Sequence, residues 1–123
     1  MLKYIELKTG YNDNGPAWIG RVKLSKSGRT VYFNGRALKR GAWGAGNYID
    51  LITGEVFWIS GVKRNSEDRH WAGSGKVLLE AAAVEEYLAI VGRTELDKSR
   101  FEVTHEIRET DPTDFAEAEN RRL

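Results

Sequence analysis

The chain has no cysteine, two prolines and one methionine among its 123 residues. Without a thiol there is no thiolate nucleophile, no disulfide, no zinc finger and no iron–sulfur ligation, so the fold must hold by packing. That is attainable, because a chain of this length forms one ordinary domain and buries roughly 65% of the surface that its unfolded form exposes. Long apolar runs are missing too. The most apolar stretch, Val77 to Val91, is interrupted by Glu80, Glu85 and Glu86, which excludes a helical membrane span. Met1-Leu2-Lys3-Tyr4-Ile5-Glu6 carries charge where the apolar part of a secretory leader would stand. We therefore expect a cytoplasmic protein with no membrane partner.

Enzyme signatures are also scarce. The chain has two histidines, His70 and His105, separated by a strand, a loop and a helix in sequence. Either is a possible general base beside Asp68 or Glu106, but nothing in the spacing brings them together as metal ligands. Gly73-Ser-Gly-Lys-Val77 fails as a phosphate-binding P-loop: His70 stands where the first glycine belongs, and Val77 where Ser or Thr belongs. Gly41, Gly44 and Gly46 lack the dinucleotide spacing, and no serine sits in a G-x-S-x-G frame. We expect no metal, no cofactor and a non-enzymatic role.

What the sequence does have is charge divided by position. Residues 1–76 hold 13 Lys and Arg against 6 Asp and Glu, a net of +7; the totals leave 6 against 12 for residues 77–123, a net of −6. Such asymmetry points to an anionic partner, or to one part of the chain pairing with the other.

The pattern predicts an α+β fold, mainly antiparallel β: a five- to six-stranded meander or small barrel with one capping helix and an acidic C-terminal segment. Strands are expected over Lys3–Lys8, Ala17–Leu24, Arg29–Phe33, Arg36–Lys39, Tyr48–Ile52, Glu55–Val62 and, more briefly, Lys76–Leu79. Asn34-Gly35 marks a type I′ hairpin. Phe57-Trp58-Ile59 reads as a central strand covered on both faces. Val84, Leu88 and Val91 repeat at helical spacing within Glu80–Val91, and Gly92 is placed to end that helix. Phe101–Ile107 alternates like an edge strand. Beyond it, either Thr113–Arg122 forms a short helix capped by Thr113 or Asp114, or residues 109–123 form a disordered acidic tail. Residues 1–92 read as the domain and 93–123 as its extension.

Basic and aromatic residues interleave through Arg21, Lys23, Lys26, Arg29, Tyr32, Arg36, Lys39 and Arg40, the pattern of a phosphate-contacting β-surface. A solvated outer sheet face has the same pattern. The densest cluster is Lys63, Arg64, Arg69, His70, Trp71 and Lys76, set between glycines whose amides can approach an anion. Trp71, or Trp43 in its glycine-rich loop, is available to stack a base, although Trp more often packs onto its own fold. The expected partner is nucleic acid, contacted by Arg21, Lys23, Arg29, Arg36, Lys63, Arg64, Arg69 and Lys76, with His70 and Trp71 at the same site. An acidic protein, or the acidic segment of a second copy, fits the same charges. A further expectation is that the acidic tail folds over the basic face and competes with an external polyanion.

The blocks Gly15-Pro-Ala-Trp-Ile-Gly-Arg21, Ser25-Lys-Ser-Gly-Arg-Thr-Val-Tyr32, Gly46-Asn-Tyr-Ile-Asp50, Trp58-Ile-Ser-Gly-Val-Lys-Arg64 and Asp68-Arg-His-Trp-Ala-Gly-Ser-Gly-Lys76 resemble a family of small bacterial proteins of unassigned function. The resemblance covers about residues 3–92. Members of that family sometimes carry the label 1-deoxy-D-xylulose-5-phosphate synthase. This chain is far too short for that activity and lacks the Gly-Asp-Gly…Asn signature with which thiamine-diphosphate enzymes hold their metal. The resemblance implies that residues 1–92 form a unit and carries over no catalytic residue.

Overall fold

The computed structural model describes residues 1–8, 15–68 and 75–120. The strands are β1 (Leu2–Leu7), β2 (Ala17–Arg21), β3 (Lys23–Leu24), β4 (Thr30–Phe33), β5 (Arg36–Trp43), β6 (Gly46–Asp50), β7 (Val56–Gly61), β8 (Val77–Glu80) and β9 (Phe101–Thr104). The helices are α1 (Val84–Val91) and α2 (Ala116–Asn120). All nine strands join one sheet in the order β3-β4-β5-β6-β7-β1-β2-β8-β9, antiparallel except where β8 pairs with β2 and β9 with β8. The α+β class stands, but among the described residues the sheet has nine strands rather than five or six. Val77–Glu80 joins the sheet in full as β8, and two further causes account for the rest of the difference. The strand expected over Ala17–Leu24 divides at Val22: its amide still donates to Met1 O at 2.9 Å in register with β1, while Lys23 and Leu24 pair with β4. The crossover through α1 then lets β9 lie parallel to β8, and strand direction leaves no mark in side-chain alternation.

Chain connectivity forces the sheet to curl. β3 and β2 are first and seventh in the order, yet a single residue joins them, so the sheet bends into a half-barrel. Its inner face buries Ile5, Val22, Val31, Phe33, Leu38, Phe57 and Ile59. Each such side chain contributes roughly 1.5–3 kcal/mol when fully buried. Gly20 lets the walls meet, because a Cβ there would stand 2.7 Å from Phe33 Cε1.

The outer face is covered in two places. A 3-10 turn over Ala81–Ala83 leads into α1, so the helix starts later than Glu80. Ala83 and Tyr87 pack on Tyr4, Ile19, Leu79 and Phe101, and α1 ends at Gly92 with φ 68°, the left-handed cap its position predicts. Between β4 and β5, Asn34 and Gly35 take φ of 51° and 75°, as a type I′ turn requires.

The C-terminal segment holds β9, a 3-10 turn over Pro112–Phe115 and α2. Pairing in β9 stops at Thr104 rather than Ile107, and Ile107 turns in against the inner core. Asp111, not Thr113 or Asp114, caps the following turn by accepting the Thr113 amide at 3.0 Å. Phe115 and Ala118 then pack on Tyr32, Ala37 and Leu51, the outer face of β4 and β5. Arg121 and Arg122 lie outside the described residues. α1 covers one part of the outer face and α2 another, and neither of their hydrophobic clusters includes Trp58. Trp58 is accordingly 40% exposed instead of covered, while Phe57 and Ile59 are buried. Among the described residues no helix is long and apolar enough to cross a membrane.

Candidate functional site

The expected contact residues divide into neutralised and free cations. Arg36 at the start of β5 donates from Nη1 to Asp50 Oδ2 at 2.7 Å and to Glu55 Oε1 at 2.8 Å, with its guanidinium 5.1 Å from the Phe57 ring centre. Burial opposes its charge, but the two carboxylates outweigh burial and raise its pKa, and Arg36 in turn holds Glu55 below the ordinary carboxylate range. Arg21 Nε meets Glu86 Oε1 at 3.1 Å, and its amide donates to Glu80 Oε1 at 2.8 Å. Lys23 Nζ donates to Glu109 Oε1 at 3.0 Å and to the Thr110 carbonyl at 3.2 Å. The Arg21 and Lys23 pairs join the basic part of the chain to its acidic part.

The remaining cations are scattered. Lys3 pairs with Gly61 at one end of β1, so Lys63 and Arg64 follow that end. Glu6 pairs with Ala17 at the other, and Trp18 stands opposite Leu78, so Lys76 belongs to that second end. Lys63, Arg64 and Lys76 are exposed but do not form one patch. Lys63 is also engaged through its amide, which donates to Asp68 Oδ1 at 2.6 Å. Burial raises the Asp68 pKa, partly offset by that bond. Arg69, His70 and Trp71 lie outside the described residues, as does the Trp43 ring. His105 is exposed beside Glu80 and Thr104 at a 170 Å³ depression, and no metal-ligand cluster occurs among the described residues.

One group of cations does converge. Thr30 pairs with Lys39, and the Arg40 amide donates to the Arg29 carbonyl at 2.8 Å, so Arg29 and Arg40 face each other across β4 and β5. Lys26 lies in the turn just before, and all three side chains are exposed without a carboxylate partner among the described residues. The result is a cationic rim built by one hairpin.

A second feature was invisible in sequence because the far end of the chain completes it. Segment 107–110 closes over the β4–β5 turn: Arg108 N donates to Asn34 Oδ1 at 2.9 Å, and Gly35 N to Thr110 Oγ1 at 2.7 Å. Between this segment and β2–β4 lies a cleft of 330 Å³ lined by Arg21, Lys23 and Arg108 together with Asn34, Glu80 and Glu109. Tyr32 also borders it, and its hydroxyl donates to Glu119. Burial, with the Glu119 charge adding to it, pushes the Tyr32 phenol up to about 12.

Comparison with protein-family models, curated proteins and solved structures finds no match for this chain.

Proposed function

We propose that the chain is a non-enzymatic binding module for an anionic macromolecule, nucleic acid first, which it meets through the rim of Lys26, Arg29 and Arg40. One observation carries this reading: Arg29 and Arg40 stand opposite each other with no carboxylate partner among the described residues. Like charges opposed across a strand pair destabilise a sheet. Three other cations of the sheet are compensated, Arg21 by Glu86, Lys23 by Glu109, and Arg36 by Asp50 and Glu55. Uncompensated cations on adjacent strands suit a phosphate backbone, whose bound counterions they release. The rim also lies within residues 3–92, the part that carries the resemblance to small bacterial proteins.

The test is a fluorescence-polarisation titration of labelled single- and double-stranded DNA and RNA at about 50 and about 200 mM salt, where each phosphate contact steepens the salt dependence. Weakening of ten-fold or more supports the reading. No binding at the lower salt removes it.

A protein partner is the second reading, favoured by the exposed Trp58 on β7. Trp58 is 40% exposed, Val56 on the same strand is half-buried, and Ile52 in the turn before β7 is 63% exposed. A monomer in light scattering at every concentration, at low salt, counts against self-association through that face.

A further inference from the structure

The cleft beneath segment 107–110 is separate from the rim and has the composition of a small-ligand site. Its 330 Å³ falls at the lower end of the roughly 300–1,000 Å³ typical of such sites, enough for one small molecule and too little for a polymer. Three cations, Arg21, Lys23 and Arg108, line it. The two carboxylates at its margin are already engaged: Glu80 accepts the Arg21 amide, and Glu109 holds Lys23. Glu109 is 88% exposed, so an incoming anion displaces it at small cost. Arg108 has no carboxylate partner among the described residues, and its guanidinium rests on the β4–β5 turn. A Cβ at Gly35 would lie 3.2 Å from Arg108 Cζ, so glycine there leaves the space the guanidinium occupies. Val22, Phe33 and Ile107 supply an apolar floor.

We infer that this cleft binds a small organic anion, with one phosphate or carboxylate group held by Arg108, Arg21 and Lys23 and a short apolar body against Phe33 and Ile107. Guanidinium groups match both oxyanions in geometry, and the floor favours an anion with a hydrocarbon part over an inorganic one.

The experiment titrates inorganic phosphate, phenyl phosphate and benzoate into the full chain at constant ionic strength, following the backbone amide resonances of Asn34, Gly35 and Thr110. Saturable shifts at these amides are expected, with phenyl phosphate or benzoate binding more tightly than inorganic phosphate; which of the two leads identifies the headgroup. Arg108→Gln should weaken binding about ten-fold, the loss expected for hydrogen bonds to a charged group. The double variant Arg29→Glu, Arg40→Glu should leave it unchanged, which separates this site from the rim. Shifts that fail to saturate with either organic anion would overturn the inference. So would native affinity in both Arg108→Gln and Lys23→Gln, each with a folded spectrum.

Discussion

Lys23 on β3 and Glu109 in the C-terminal segment meet at 3.0 Å although 86 positions separate them in the chain. The pair joins the basic part of the sequence to the acidic part within one molecule. It is not what holds them together. Glu109 is 88% exposed, and an exposed ion pair contributes about 0–1 kcal/mol. The anchors are the Thr110 hydroxyl on Gly35 and the packing of Phe115 and Ala118 on Tyr32.

Phe115→Ala should therefore loosen the C-terminal segment more than Lys23→Gln does. Phe115 is half-buried, so we expect a loss of about 1–2 kcal/mol, less than the ~3–5 of a fully buried phenylalanine. Denaturant unfolding measures the loss, and faster amide exchange confined to residues 107–120 locates it. Equal effects of the two substitutions would assign the docking to charge.

Gly46→Ala should be among the most damaging single-methyl additions. The new Cβ would lie 2.3 Å from Val56 Cγ1 and 2.5 Å from the Phe57 carbonyl oxygen, and that backbone cannot move without parting β6 from β7. A cost of about 3 kcal/mol or more is expected in thermal or urea unfolding, at the upper end for overpacking. Gly20→Ala meets only the rim of the Phe33 ring and should cost less.

Tyr87→Phe should be neutral or stabilising by up to about 1 kcal/mol, since the Tyr87 hydroxyl is buried without a hydrogen-bond partner among the described residues and its removal abolishes a desolvation cost. A clear loss of stability in urea unfolding would reveal a partner for it.

Alkaline pH should destabilise the fold between about 10 and 12. Burial first, then Glu119 for Tyr32 and Asp68 for Tyr87, raises both phenols to about 12 from the ordinary tyrosine value of about 10. Through that window the unfolded chain has released these protons while the folded chain retains them. Stability is thus full below pH ~10 and falls as pH rises. Tyrosinate absorbance should show two late-titrating groups in the native protein, one of which is absent in Tyr32→Phe. Titration of every tyrosine near pH 10 would contradict this.

The local elements were legible wherever one residue type dictates one geometry. Asn34-Gly35 demanded its turn, Gly92 its cap, and alternation around Ile5 and Ile59 their strands. What depended on the whole chain was not. Nothing in Ala17–Leu24 marks Val22 as the residue where one strand leaves β1 for β4. Trp58 looked like core because its neighbours in sequence are core; its exposure follows from where α1 and α2 happen to sit. The same limit applies to the site. Arg21, Lys23 and Arg36 have the composition of a binding face, and only contacts with Glu86, Glu109, Asp50 and Glu55 show them compensated. Arg29 was named from sequence, but its partnership with Arg40 needed the register of β4 on β5. Arg108 was passed over because its setting is supplied by residues more than 70 positions away.

The most direct test compares polyanion binding by the native chain and by the double variant Arg29→Glu, Arg40→Glu in the low-salt polarisation titration. Removing two phosphate contacts and adding two repulsive charges should lower affinity by at least ten-fold and flatten the salt dependence by about two contacts. The same change at Arg64 alone should have a much smaller effect. Unchanged affinity and slope in the double variant, with a folded spectrum, would contradict the account.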